Sequence, residues 1–309
     1  MDAIKCLDQA NGDAWVMYNG DACELIKGIP DDSIGFSVFS PPFSSLYTYS
    51  NSDRDMGNSD DDAHFLCHFT YLIEDLYRVM MPGRNLSIHC MNLPTLKTHH
   101  GYIGLRDFRG DIIRAFQKAG FIFHSEVCVW KDPVTAMQRT KAIGLLHKQV
   151  LKDSAMSRQA IPDYVVTFTK PGTNLVPVSG PFDSFAGEDF QHVKNLSIDI
   201  WQRYASPVWM DIRSSRTLQY TTARDEEDER HICPLQLDVI ERCMQLWSIE
   251  GDSVLSPFGG IGSEGHVAVT MGRRFVGFEL KPSYYRVACK NLRIAEQSIG
   301  QGLFESVAN

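Results

Sequence analysis

The sequence lacks the features that mark membrane proteins and secreted, disulfide-rich proteins. No apolar run approaches the roughly 20 residues that a membrane-spanning helix needs, and residues 1–15 have no basic region followed by an apolar one. None of the eight cysteines forms a CxxC pair, and histidines and aspartates do not cluster around them. We therefore expect a cytoplasmic protein with reduced cysteines, no disulfide framework and no bound metal.

The sequence also lacks an excess of positive charge, because the 309-residue chain has a formal net charge of −8. A negative total disfavours non-specific binding to a polyanion. Residues 139–158 are an exception, with five basic residues against one aspartate. These basic residues are Arg139, Lys141, Lys148, Lys152 and Arg158. The usual explanation for such a run is a solvated helix face, and the alternative is a local phosphate-binding surface.

Strand-like and helix-like segments alternate along the chain, which predicts an α/β fold with helices on both faces of one sheet. The seven predicted strands cover residues 15–21, 34–40, 85–90, 121–130, 163–170, 252–258 and 273–280. The predicted helices cover residues 22–29, 63–81, 109–120, 233–248, 261–272 and 282–298, the fifth of them beginning with a turn. We expect a single domain over residues 1–309, in which the regular pattern is interrupted at about 171–222.

A glycine-rich turn follows the predicted strand 252–258 and precedes a helix. Gly259, Gly260 and Gly262 allow a tight turn and let a ligand approach the backbone, where the helix N-terminus offers unpaired N–H groups. The next predicted strand ends at Glu279, whose carboxylate can accept hydrogen bonds from both hydroxyls of a ribose. The arrangement indicates a nucleoside cofactor, and a structural turn with an incidental glutamate is the alternative.

The stretch Ser40-Pro41-Pro42-Phe43 directly follows a predicted buried strand. Two adjacent prolines can neither extend a helix nor donate to a sheet ladder. The Ser40 hydroxyl and the Pro41 carbonyl can both accept from one amino group, and Phe43 can stack on a planar ring. Such a turn suits a base whose amino nitrogen attacks a methyl group held nearby, a reaction that depends on proximity and orientation. If the two strands are neighbours, this stretch and the glycine turn face one pocket.

In this order, these segments resemble the S-adenosylmethionine-dependent amino-methyltransferases of DNA, specifically the β-class, in which the catalytic motif precedes the cofactor motif. Residues 20–43 resemble the opening segment of that family and residues 231–292 its closing segment. The resemblance implies a Rossmann-like methyltransferase sheet, S-adenosyl-L-methionine as cofactor and double-stranded DNA as substrate. It is also consistent with a bacterial or phage-encoded enzyme, a homodimer and a cognate restriction enzyme as partner.

The resemblance further implies which residues surround the two ligands. The target base would lie against Ser40, Pro41, Pro42 and Phe43. The cofactor would contact Asp21 and Ala22 near its adenine, Pro234 and Leu235 at the closing wall, Phe258, Gly259, Gly260 and Gly262 at its methionine part, and Glu279 at its ribose. Ser256 stands where the family usually has aspartate, so this position keeps a hydrogen-bonding group and loses a charge.

A base inside a duplex cannot reach such a pocket, so the resemblance implies that the target base is flipped out. The basic segment 139–158 would then bind phosphates, and Tyr47 would line the flipped base or the gap that it leaves. The irregular stretch 171–222 is the expected target-recognition region. Its Arg213 and Arg216 suit guanine edges, and ordinary surface charge is the alternative for each.

Serine at the first catalytic position favours cytosine N4 as the methylated atom, with adenine N6 as the alternative. A dinucleotide-dependent oxidoreductase would explain the glycine turn and Glu279 but not residues 40–43. A DNA-binding protein without catalysis is compatible with Ser256, and a methyltransferase for a protein glutamine or an RNA base would use the same catalytic turn. His89, His99 and His100 are interpreted as surface or core histidines without a catalytic or metal-binding role.

Overall fold

The computed structural model describes residues 6–43, 55–59, 62–95, 97–134, 145–178, 198–219 and 234–307. Its strands are β1 (Asp8–Asn11), β2 (Trp15–Asn19), β3 (Phe36–Phe39), β4 (Asn85–Cys90), β5 (Leu93–Thr95), β6 (Gly104–Arg106), β7 (Ile122–Val129), β8 (Asp163–Thr169), β9 (Val208–Trp209), β10 (Ser253–Ser256) and β11 (Arg274–Glu279). Its helices include α1 (Ala22–Leu25), α2 (Asp62–Val79), α3 (Lys97–His100), α4 (Phe108–Lys118), α5 (His147–Val150), α6 (Leu237–Trp247), α7 (Ser263–Thr270) and α8 (Pro282–Val307).

Nine of these strands form one mixed sheet in the order β1-β2-β11-β10-β3-β4-β8-β7-β9. The five strands from β2 to β4 in this order run parallel, whereas β1 and β8 run antiparallel to their neighbours. All seven predicted strands are present, which confirms the α/β fold. The additional strands β1 and β9 pair at opposite edges of the sheet.

The helices cover both faces of the sheet, as predicted. Helix α2 buries one apolar side, which includes Phe65, Phe69 and Leu72, against Leu86 and its neighbours on one face. Helices α6, α7 and α8 pack on the other face around β3, β10 and β11. Burial of each such large side chain stabilises the fold by roughly 1.5–3 kcal/mol relative to exposure. The helices on both faces of the sheet therefore contribute to the stability of the fold.

The parallel strands β3 and β10 are direct neighbours, with Phe36 opposite Val254 and Ser37 opposite Leu255. From β3 the chain passes through α2 to β4, and from β10 it passes through α7 to β11 on the other side of the pair. The two helices lie on opposite faces of the sheet. This reversal makes a topological switch point, and ligands of open α/β sheets bind at the carboxyl ends of the strands there.

Within the described residues, no helix is long and apolar enough to cross a membrane. The same part of the chain contains no group of three or more histidine, cysteine or carboxylate side chains that could hold a metal ion.

Candidate active site

A pocket opens at the carboxyl ends of β3 and β10, at the switch point, and it brings together distant parts of the chain. Twelve of the fourteen predicted catalytic and cofactor residues line it: Asp21, Ala22, Ser40, Pro41, Pro42, Phe43, Pro234, Leu235, Phe258, Gly259, Gly260 and Glu279. Ser256 and Gly262 do not line it. The neighbouring strands thus place the two motifs in one cavity, as the sequence pattern predicts.

The glycine turn leaves backbone exposed to the pocket. Gly260 has a φ of 51°, and a Cβ atom added there would meet no described atom within 4 Å. A Cβ atom on Gly259 would instead lie 2.6 Å from the Cε of Met17. Gly260 therefore faces open space, where a ligand can approach the main chain.

Gly262 and Ser256 lie outside the pocket lining. Gly262 is the N-cap residue of α7 with a φ of 86°, and an added Cβ atom would lie 3.2 Å from the Cα of Ala288. It therefore permits close packing of α7 on α8. Ser256 is fully buried at the end of β10, and its hydroxyl has no hydrogen-bond partner among the described residues.

Glu279 is held rigidly at the end of β11. Its Oε2 accepts from the Gly260 N–H at 2.8 Å, and its Oε1 accepts from the Lys281 N–H at 2.8 Å. Burial raises the pKa of Glu279 to about 7, although both backbone hydrogen bonds favour the charged form. Each carboxylate oxygen has a second lone pair, so Glu279 can still accept hydrogen bonds from a ligand in the pocket.

Another buried carboxyl group in the pocket, that of Glu264, was not predicted from the sequence. Glu264 lies in the first turn of α7 and is only 5% exposed. Burial raises the pKa of Glu264 to about 8, and the charge of Glu279 acts in the same direction. A cationic ligand would favour ionisation of both groups. The available signal was a glutamate at the start of the helix that follows the glycine turn.

The Ser40–Phe43 stretch is fixed by residues of the neighbouring strand β4. Ser40 Oγ lies 3.2 Å from His89 Nδ1 and 3.3 Å from the His89 carbonyl oxygen. The Phe43 ring makes edge contacts with the rings of His89 and Phe108, at centroid distances of 6.4 and 6.3 Å. The hydroxyl and the aromatic ring of the motif are therefore held by packing as well as by the two prolines.

His89 belongs to a chain of polar contacts that leads away from the pocket. Its Nε2 lies 3.1 Å from Asp163 Oδ2, a close contact that is not a well-aligned hydrogen bond, and Asp163 Oδ1 accepts from Lys131 Nζ at 2.5 Å. Burial alone would raise the pKa of Asp163, but His89 and Lys131 outweigh it and hold that pKa below its ordinary value. His89 was interpreted as a surface or core histidine without a role, although its place near the end of a predicted core strand was visible in the sequence.

Four further residues that were not predicted also line the pocket. Asp55 accepts from the Gly57 N–H at 2.8 Å and lines the wall with Met56. Lys281 and Tyr284 line the wall near Glu279, with the Lys281 Nζ 4.6 Å from the centre of the Tyr284 ring. No pattern in the sequence identifies Asp55 and Met56 as pocket residues.

The predicted contacts with DNA are only partly within the described residues. Tyr47, Arg139 and Lys141 lie outside them. Lys148 and Lys152 are exposed. Arg158 is half-buried, and burial lowers the pKa of its guanidinium group. The two lysines are accessible to a polyanion.

The arginines predicted to read bases are engaged in ion pairs. Arg213 binds the Asp238 carboxylate through its guanidinium Nη2 at 2.7 Å, and Arg216 binds the same carboxylate at 2.6 Å. Arg216 also binds Glu241 at 2.6 Å. Asp238 and Glu241 lie on α6, so both arginines fasten the preceding segment to that helix.

Comparison with known proteins places the chain among DNA methylases. A family model described as "DNA methylase" matches residues 34–290. Type II methyltransferase M.BamHI from Bacillus amyloliquefaciens is 26% identical over 266 residues, which cover 85% of this chain and 54% of M.BamHI. The chain thus spans about half the length of that relative. The DNA adenine methyltransferase YhdJ from Escherichia coli K12 is 33% identical over 288 residues, which cover 92% of this chain and 84% of YhdJ.

Solved structures share the fold at lower identity. The PvuII DNA methyltransferase, named as cytosine-N4-specific, superposes with a TM-score of 0.64 at 18% identity and covers 96% of this chain and 94% of its own. A DNA modification methylase from Thermus thermophilus in complex with S-adenosyl-L-methionine has a TM-score of 0.62 at 21% identity, and covers 91% of this chain and 95% of its own. Both confirm the Rossmann-like methyltransferase fold.

Proposed function

The chain belongs to the DNA methylase family, and on this basis we propose that it transfers a methyl group from S-adenosyl-L-methionine to the exocyclic amino group of a base in DNA. One observation carries the proposal. The Ser40–Phe43 stretch and the glycine turn with Glu279 line the same pocket, at the carboxyl ends of adjacent parallel strands. A methyl donor and an amino acceptor need this proximity and orientation.

The pocket residues fit S-adenosyl-L-methionine, which supplies a methyl group on a positively charged sulfur when bound. The backbone of Gly260 is accessible, and the buried carboxyl groups of Glu264 and Glu279 suit a ligand with positive charge. Glu279 would accept from the ribose hydroxyls. The other predicted residues would surround the rest of the cofactor: Asp21 and Ala22 near the adenine, Pro234 and Leu235 at the closing wall, and Phe258, Gly259 and Gly260 at the methionine part.

The catalytic stretch would act on the base by orienting its amino group. The Ser40 hydroxyl and the Pro41 carbonyl would accept hydrogen bonds from that group, and this favours a pyramidal nitrogen with an available lone pair. Phe43, fixed by its edge contacts with Phe108 and His89, would stack on the ring of the base. The base would reach the pocket by flipping out of the duplex.

Cytosine N4 is the favoured target because the catalytic stretch begins with Ser40. The fold neighbour named as cytosine-N4-specific has the same architecture. Adenine N6 is the second candidate, favoured by the 33% identity to a relative named as a DNA adenine methyltransferase. The reaction class is the same for both, and only the shape of the base differs.

Contacts with the DNA would come from outside the pocket. The exposed Lys148 and Lys152 would bind phosphates, together with the predicted contacts Arg139 and Lys141. Tyr47 would line the flipped base or the gap that it leaves. Residues 171–222 would take part in target recognition, with Arg213 and Arg216 supporting that region through Asp238. A homodimer and, by analogy with the type II relative, a cognate restriction enzyme are the remaining proposed partners.

Nucleoside mass spectrometry tests the proposal directly. The protein is incubated with unmethylated DNA and S-adenosyl-L-methionine that carries a trideuterated methyl group, and the DNA is digested to nucleosides. We expect labelled N4-methylcytosine, whereas labelled N6-methyladenine would select the second candidate. A protein that binds the cofactor by calorimetry but labels neither base would overturn the proposal.

A further inference from the structure

We propose that His89 is a positioning residue for this methyl transfer, and that it orients the Ser40 hydroxyl and takes up, through it, the proton that the amino nitrogen loses. The inference rests on the proposed function and adds a path for the proton. It is carried by the contacts from Ser40 Oγ to His89 Nδ1 at 3.2 Å and from His89 Nε2 to Asp163 Oδ2 at 3.1 Å. Neither His89 nor Asp163 belongs to the sequence motifs or lines the pocket.

The position of Asp163 selects the tautomer of His89. An ionised carboxylate only accepts hydrogen bonds, so the ring nitrogen beside it, Nε2, is the one that carries the hydrogen. The other nitrogen, Nδ1, then presents a lone pair to Ser40, and the Ser40 hydroxyl donates to it. Both lone pairs of the Ser40 oxygen stay available for the amino group of the base. The alternative is a Ser40 hydroxyl that donates to the His89 carbonyl oxygen at 3.3 Å. A backbone carbonyl cannot take up the proton, so this orientation would not provide a path for it.

The transfer releases one proton, which the network can accept. The amino nitrogen forms a bond to the methyl carbon, the electron pair of the carbon–sulfur bond returns to sulfur, and the nitrogen must then lose a proton. That proton passes to the Ser40 oxygen as the Ser40 hydrogen moves to His89 Nδ1. His89 becomes an imidazolium beside the Asp163 carboxylate and returns its proton to solvent after turnover. No other co-reactant is needed.

A buried carboxylate lies beside the ring that takes up the proton. Asp163 is 3% exposed and His89 is 9% exposed, and the Asp163 carboxylate lies 3.1 Å from His89 Nε2, where it faces the charge that the proton brings. His89 and the Lys131 ammonium on the far carboxylate oxygen together hold the pKa of Asp163 below its ordinary value, so this carboxyl group stays ionised. The other ionisable side chains of the elements packed around this strand are Cys90, Asp107, Arg109, Glu126, Cys128 and Tyr164. Of these, Arg109 and Glu126 pair with each other.

The test compares His89→Gln with the wild type and with His124→Gln, an exposed histidine on β7. Single-turnover methylation is measured against pH, and cofactor affinity is measured by calorimetry. Glutamine can still hydrogen-bond to Ser40 but cannot take up the proton. We expect His89→Gln to lower the single-turnover rate by at least about tenfold and to remove the acidic limb of the pH–rate profile. Cofactor affinity should stay within about twofold, and His124→Gln should resemble the wild type.

Two results would overturn the inference while leaving the proposed function intact. One is a His89→Gln variant with the wild-type rate and pH profile. The other is a variant whose cofactor affinity falls as much as its rate, because this would indicate a purely structural role. A wild type that methylates no base overturns the proposed function itself. Nitrogen-15 chemical shifts of the wild-type His89 ring give a readout independent of turnover and of the variant's folding, and a proton on Nδ1 rather than Nε2 contradicts the inference.

Discussion

Glu279 Oε2 accepts a hydrogen bond from the Gly260 N–H at 2.8 Å, and this bond joins the end of β11 to the turn that follows β10. The acidic residue and the glycine turn are therefore one preformed unit, although they lie 19 positions apart in the chain. Burial at this junction leaves the carboxyl group only partly ionised near neutral pH. The net charge of the pocket should consequently change as the pH passes through the physiological range.

Cofactor affinity should rise with pH because of Glu279. Its pKa lies at about 7, and the ionised form is the better acceptor for ribose hydroxyls. Calorimetric titration with S-adenosyl-L-methionine should therefore give a lower Kd at about pH 8 than at about pH 6. Glu279→Gln should weaken binding by roughly tenfold, the loss of one charge-assisted hydrogen bond, and flatten this dependence. The exposed Glu250→Gln serves as control, and an unchanged Kd in Glu279→Gln contradicts the assigned role.

Glu264 should make the cofactor-free protein less stable as pH rises. Burial raises its pKa from 4.5 to about 8, so the folded state binds the proton more tightly than the unfolded state does. Its contribution to stability is present in acid and is lost between about pH 4.5 and about pH 8. Urea unfolding at several pH values should show a smaller loss of stability for Glu264→Gln than for the wild type. Equal slopes in the two proteins would refute the buried state of this carboxyl group.

Gly262→Ala should destabilise the protein more than Gly251→Ala. Both glycines have positive φ, 86° and 84°, so alanine is strained by about 1–2 kcal/mol at either position. At Gly251 no described atom lies within 4 Å of the added Cβ atom, whereas at Gly262 it would press on Ala288. The difference between the two unfolding free energies therefore measures the packing of α7 on α8. Equal values would show that this contact relaxes without cost.

Ser40→Ala should separate catalysis from cofactor binding. The substitution removes the hydroxyl that is proposed to accept from the amino group, and the remaining lining of the cofactor pocket is untouched. We expect the methylation rate to fall by at least about tenfold, the worth of one hydrogen bond to a reacting group. The calorimetric Kd for S-adenosyl-L-methionine should stay within about twofold. A variant with wild-type turnover would remove Ser40 from the mechanism.

Lysines and arginines outside the pocket should respond differently to substitution. Lys148→Gln and Lys152→Gln should each reduce the slope of log Kd for DNA against log salt concentration by about one, as expected for lost phosphate contacts. Arg213→Gln should instead lower Tm with little effect on this slope, because its guanidinium group is paired with Asp238. An Arg213→Gln variant with an unchanged Tm and a reduced salt slope would instead indicate that Arg213 contacts DNA.

The sequence predicts most of the fold because its core strands are apolar and its helices amphipathic. The polar strand β1, Asp8–Asn11, has no such signal and forms by pairing along β2. Strand β9 has two residues and depends on its pairing with β7. Neither edge strand could be predicted, because its only support is a neighbour in space.

The sequence by itself determined the composition of the site: a rigid Ser40–Phe43 stretch after one strand, a glycine turn after another and an acid at Glu279. These signals are local, because backbone restriction and chain reversal depend on adjacent residues. Only the tertiary structure decided that β3 and β10 are neighbours, that Glu264 lies in the same pocket, and that His89 links Ser40 to Asp163. Strand order and side-chain contact depend on packing between segments far apart in the chain, and no local pattern encodes such contacts.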